Sequence, residues 1–144
     1  MLPGDTFSLK MHAFARLATP KFPIMDNMYL ESFFFAVPCR LLWDKWERFN
    51  GHQPNPGDST DFTAPELVAP EVGGVTEGSL ADYMGIPTKV AGLPFNSLHF
   101  RAYNLIWNEW FRDENLQDSV TVDTGNGPDT DSYRDWETDR KSVV

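Results

Sequence analysis

From residue 6 to residue 17 hydrophobic and polar positions alternate. Phe7, Leu9, Met11, Ala13, Ala15 and Leu17 share one face, while Ser8, Lys10, His12 and Arg16 take the other. A period of two predicts a half-buried strand. Pro20 and Pro23 interrupt the pattern, and residues 25–37 follow as MDNMYLESFFFAV, whose last part, Phe33 to Val37, is apolar on both faces. That run predicts a second strand covered on both sides.

Beyond Pro38 the period lengthens. Leu42, Trp43, Trp46 and Phe49 recur at helical spacing and predict a short amphipathic helix over residues 41–50, with Gly51 as a left-handed stop. Residues 52–75 hold four prolines and three glycines without helical period, so they read as loop or isolated short strand. Ser79 is placed to cap a second short helix, with Asp82 in its first turn and Gly85 and Pro87 closing it. A third helix is predicted from a cap at Asn96 or Ser97 to Asn115. Leu98, Ala102, Leu105, Ile106 and Trp110 cover one side of it and Phe100, Tyr103, Trp107 and Phe111 another, which leaves Asn104, Asn108, Glu109 and Arg112 as its polar strip. A helix apolar over most of its circumference must be buried on more than one side.

Composition narrows the functions. With 144 residues, 41% hydrophobic and 14% aromatic, the chain has the means to fold as one domain. The net charge is -9, and most of it falls after residue 112. An acidic chain without a basic cluster has no electrostatic footprint for a phosphate backbone, which disfavours tight direct binding of DNA or RNA. One cysteine, Cys39, excludes an internal disulfide and a zinc site built on thiolate pairs. No apolar run has the length of a membrane span and the first residues lack a signal-peptide pattern, so the expectation is a soluble protein without membrane contact.

Candidate chemistry is sparse. His12, His52 and His99 are scattered over a predicted strand, a loop and a helix, and read as solvated or core-satisfied side chains. Gly73 and Gly74 lack the Lys-Ser/Thr partner of a phosphate loop and read as turns. The carboxylates of residues 123–131 do not follow EF-hand order and read as an acidic turn rather than a calcium loop. Cys39 with His12 as nucleophile and base has nothing local to orient it. The expectation is therefore no catalytic residue, no metal and no cofactor. What remains is aromatic surface, and the candidate subunit-contact or core residues are Trp43, Trp46, Phe100, Tyr103, Trp107, Trp110 and Phe111. The competing function is an all-β carbohydrate-binding module or glycoside-processing fragment. In it Trp43, Trp46, Trp107 and Trp110 stack on sugars and acids such as Glu47 or Glu109 act, although no preferred carboxyl pair stands out.

The stretches LPGDTF (2–7), FARLATPKFPIMDNMYLESFFFAVPCRLLWDKWERFNG (14–51), NPGDSTDF (55–62) and ADYMGIPTKVAGLPFNSLHFRAYNLIWNEWFRDENLQDSV (81–120) resemble the major capsid proteins of the Microviridae, the small single-stranded DNA phages, in particular their gokushovirus branch. FRAYNLIWNEWFRD is the most specific part. The resemblance implies a mainly β fold: a partial eight-stranded antiparallel jelly roll of viral capsid type, with helical and loop insertions. It implies copies of the same subunit as partners in a small icosahedral shell, assembled in the host cytoplasm. It also implies packaged circular single-stranded DNA and a separate small basic DNA-packaging protein. Family members are several times longer, so residues 1–131 are expected to be an incomplete, N-terminal part of the capsid domain. The family often has Asn where Cys39 stands. The ending SYRDWETDRKSVV, residues 132–144, has no counterpart in that pattern and is expected to be a foreign tail.

Overall fold

The computed structural model describes residues 4–14, 16 and 21–129. The chain divides into two units, Met1–Ala36 and Val37–Val144. The described part of the first contains no regular helix or strand, and its large apolar residues face solvent, Met25 at 95%, Phe33 at 61% and Phe34 at 62% exposure. Both predicted strands, 6–17 and 25–37, are thus corrected: the described residues of these runs form no ladder. A strand needs a partner for its backbone groups, and an isolated pair is marginal even when it forms. The one ladder among the described residues is the three-residue pair of the other unit.

The second unit opens with a 3-10 turn, Cys39–Leu41, followed by a one-turn helix α1, Trp46–Phe49. The helix predicted over 41–50 is broken between them, because the Asp44 amide donates outward to the Thr124 carbonyl at 3.0 Å. Gly51 ends α1 at φ +88°, as expected of a left-handed stop. The long loop then contains a short strand, β1, Glu66–Val68, which pairs antiparallel with β2, Pro94–Asn96, Leu67 opposite Phe95. Between the strands lies α2, Leu80–Tyr83, whose cap works as its sequence predicts. The Ser79 hydroxyl accepts the Asp82 amide at 3.4 Å, and the Asp82 carboxylate accepts the Gly78 amide at 2.8 Å.

The core forms where these elements meet. Leu67 and Ala69 point inward from β1 and its extension, Ala81 comes from α2 and Phe100 from the third helix, with Val75 between them. Leu80, Met84, Ile86, Leu93 and Phe95 pack around that nucleus, and the Phe95 and Phe100 ring centroids lie 5.4 Å apart. The described residues thus form a two-stranded antiparallel sheet with small helices, and eight strands are not among them.

Helix α3, Leu98–Ile106, continues into a π-helical turn, Trp107–Phe111, and stops at Arg112, whose ψ of 133° is extended. The helix is therefore shorter than the expected run to Asn115. Its end is set by the Arg112 amide, which donates to Trp107 at 2.8 Å, and by a separate turn in which the Leu116 and Gln117 amides donate to the Asp113 carbonyl. Burial also differs from the expectation of wide apolar contact: the buried residues of α3 are Phe100, Arg101 and Asn104. Asn104 thus leaves the polar strip for the interior.

Of the two candidate caps, Asn96 does the capping, its side-chain oxygen accepting the Leu98 amide at 2.8 Å. Ser97 is fully buried and its hydroxyl has no hydrogen-bond partner. A buried hydroxyl without a partner carries its desolvation cost uncompensated, so Ser97→Ala should leave stability unchanged or raise it by about 1 kcal/mol. Hydrogen exchange of the α3 amides checks this, and a clear loss of protection would show that the hydroxyl holds the helix start after all.

Candidate subunit interface

Arg101 projects from α3 into the interior, with 3% of its side chain exposed. Its Nε donates to Asp129 Oδ2 at 2.9 Å, a second guanidinium nitrogen donates to Asp129 Oδ1, and the remaining donors reach the carbonyls of Leu42 at 2.7 Å and Gly125 at 3.1 Å. One side chain thus joins α3, the turn before α1 and the segment 120–129. A planar fork with five fixed donors is suited to this, because it satisfies a carboxylate bidentately and still reaches two carbonyls.

The segment 120–129 is bound at both ends and at several points between, as a strap. Asn108 imitates a peptide group, donating from Nδ2 to the Val120 carbonyl at 2.7 Å and accepting the Val120 amide at 2.9 Å. Thr124 receives the Asp44 amide and donates its hydroxyl to the Asp44 carboxylate at 3.2 Å. Asn126 Oδ1 accepts the indole N–H of Trp43 at 2.8 Å. At its far end the strap runs beside β1: the Gly127 amide donates to Thr63 at 3.2 Å and the Asp129 amide to Glu66 at 2.8 Å. The expected acidic turn is therefore a structural clamp. Asp123 accepts the Gly125 amide at 2.8 Å and Asp129 is consumed by Arg101. No group of three or more His, Cys, Asp or Glu side chains among the described residues is arranged to hold a metal ion, and Asp131 lies outside those residues.

The expected contact residues separate by burial. Trp43 and Phe100 are buried, Phe100 in the core and Trp43 in an aromatic cluster whose ring centroids lie 6.4 Å from Trp46, 5.6 Å from Phe49 and 6.0 Å from Phe62. Tyr103, Trp107 and Trp46 are half-buried. Trp110, 72% exposed, and Phe111 face solvent at the end of the π-helical turn. Burial of Trp43 removes it from any sugar-stacking platform, and Trp46 borders an open depression with Glu47, Asn50 and His52. Sequence reasoning missed Arg101 and Asp129, the two charges that organise the unit. The only signal was an arginine on the otherwise apolar side of a helix.

Apolar surface exposed on this scale calls for a cover that the described residues do not supply. Comparison with known proteins gives the family. The sequence matches the family described as capsid protein (F protein) over residues 1–142. The chain belongs to this capsid protein family.

Among relatives in the capsid protein family, the protein named capsid protein VP1 of Bdellovibrio phage phiMH2K is 55% identical over 129 residues, covering 90% of this chain and 24% of that protein. Capsid protein VP1 of Chlamydia phage 1 is 50% identical over 131 residues, 87% of this chain and 22% of that protein. Capsid protein VP1 of Spiroplasma virus 4 is 39% identical over 127 residues, 86% of this chain and 23% of that protein. The chain spans about a quarter of the length of these relatives.

Proposed function

We propose that this chain is part of a major capsid subunit that assembles with its own copies into a small icosahedral shell around circular single-stranded DNA. Its place is the virion and its role is structural, with no catalytic step. The observation that carries this reading is the capsid-family match over residues 1–142, together with the solvent-facing Phe7, Leu9, Met11, Phe33 and Phe34 of the first unit. Period-two sequence without a ladder is what strands of a larger sheet look like when their partners are absent. The finer reading is an eight-stranded jelly roll in which residues 6–17 and 25–37 pair with strands from the rest of the subunit. Trp107, Trp110 and Phe111 then serve contact between subunits. The net charge of -9 supports a division of labour in which a separate small basic protein neutralises the packaged DNA. No helix among the described residues is long and apolar enough to cross a membrane.

The test is assembly. In the longer subunit, Trp107→Ala with Trp110→Ala should leave the subunit soluble but cut the yield of closed particles in electron micrographs by about tenfold or more, since large aromatic residues dominate interface energetics. Normal shells from that double variant would overturn the role given to the helix end.

We also read residues 132–144 as foreign to the capsid pattern. They lie outside the described residues, and the curated relatives match 86–90% of the chain. The family match itself runs to residue 142, so the DNA decides. Independent source DNA read across Asp131 and Ser132 should depart from SYRDWETDRKSVV, and recovery of the same ending would remove this reading.

A further inference from the structure

The sequence contains two Asn–Gly steps, Asn50–Gly51 and Asn126–Gly127. Such a step is the most reactive backbone site for deamidation, because glycine leaves the following amide nitrogen free to approach the asparagine side chain. In that reaction the glycine nitrogen gives up its proton to hydroxide and bonds to the asparagine Cγ. The side-chain Nδ2 leaves as ammonia, and water opens the resulting succinimide to aspartate or isoaspartate. No oxidation or reduction occurs.

Both asparagines are exposed, and the two steps differ in the glycine that follows, exposed at Gly51 and buried at Gly127. Asn50 is exposed at the end of the one-turn helix α1, with its Nδ2 donating to Trp46 at 2.7 Å and the Gly51 amide donating to Arg48 at 2.9 Å. Bonds of this kind at an exposed helix end open at almost no cost in free energy. At the second step both reacting groups are held within the strap. Asn126 Oδ1 accepts the Trp43 indole N–H at 2.8 Å, the Gly127 amide donates to the Thr63 carbonyl at 3.2 Å, and Gly127 is buried. Gly125, just before the step, and Asp129, two residues after Gly127, are both bonded to the buried Arg101.

We propose that Asn126–Gly127 is a modification site gated by the fold: closed to deamidation while the strap is docked, and reactive once it lifts. The product makes the lifting permanent. Isoaspartate adds a methylene to the backbone between two residues anchored on the same guanidinium, and the segment can no longer meet Arg101 and Thr63 together. A subunit that has once opened here is thereby marked chemically as one that does not close again.

The experiment incubates the full chain in mildly alkaline buffer, with and without concentrated guanidinium, and follows aspartate plus isoaspartate at each step by peptide mass spectrometry. In denaturant the two steps should react alike. In native buffer Asn126 should react at least about tenfold more slowly than Asn50, the measure of a strap that opens rarely. Arg101→Met should raise the Asn126 rate toward that of Asn50 while leaving Asn50 unchanged. Equal native rates at the two steps in the unaltered chain would overturn the proposal. Because that comparison needs no substitution, it holds even where the variant does not fold.

Discussion

Replacing Arg101 by methionine is expected to destabilise the second unit by about 3–5 kcal/mol, the range found when one partner of a buried ion pair is removed. The side chains of Arg101 and Asp129 are 3% and 6% exposed, so neither charge is shielded by water. Without the guanidinium, Asp129 is left as a buried carboxylate without its cation, and the carbonyls of Leu42 and Gly125 each lose a donor. Hydrogen exchange of the α3 amides reads the loss directly and does not require the chain to be monomeric. Arg101→Lys should recover only part of it, because an ammonium keeps the charge but cannot span a carboxylate and two carbonyls at once. Pairing Arg101→Met with Asp129→Leu should recover more, since an apolar pair removes the uncompensated charge that makes the single change costly. A loss below about 1 kcal/mol for Arg101→Met would mean that the strap is held by its backbone bonds alone.

What the sequence made legible depended on the range of the interaction. Ser79 as cap, Asp82 in the first turn, Gly51 as stop and Asn96 before α3 were readable because each acts within four residues of itself. Phe100 was readable as apolar sequence in a predicted helix, although not as the one aromatic of that helix that reaches the core. The break in the 41–50 helix was not legible, because the Asp44 amide is taken by Thr124, 80 positions away in the same pairing that joins their side chains. Nor was the pairing of Arg101 with Asp129 across 28 positions, for which no local pattern exists.

The apolar runs at 6–17 and 25–37 teach the converse. Their period-two pattern is a sound record of strand-forming sequence, yet a ladder requires two strands, and sequence periodicity reports only one. The same separation applies to the candidate interface. Aromatic residues at helical spacing said that α3 and its continuation must be covered, and only burial distinguishes Phe100, which the chain covers itself, from Trp110, which stands in solvent.

Gly74→Ala should cost about 2–5 kcal/mol, and Gly73→Ala, one residue earlier, only about 1–2 kcal/mol. Both glycines have positive φ, +82° at Gly73 and +63° at Gly74, so an L side chain is strained at either. They differ in what a Cβ would meet. At Gly73 it finds open space, whereas at Gly74 it lands 2.5 Å from the backbone nitrogen and the carbonyl oxygen of Val90. Those atoms cannot swing aside, because the neighbouring backbone is tied down: the Lys89 amide donates to the Val75 carbonyl at 3.0 Å, and Val75 bridges Thr88. The pair therefore separates conformational strain from collision within one turn. Its core consequence runs through Val75, a buried member of the cluster with Leu67, Ala81 and Phe100, which would be displaced when the two chain segments part. Protection of the Lys89 amide against hydrogen exchange is the measurement. It should fall sharply in Gly74→Ala and little in Gly73→Ala, and equal losses would show that strain alone governs this turn and that the close approach to Val90 is not part of what holds the core.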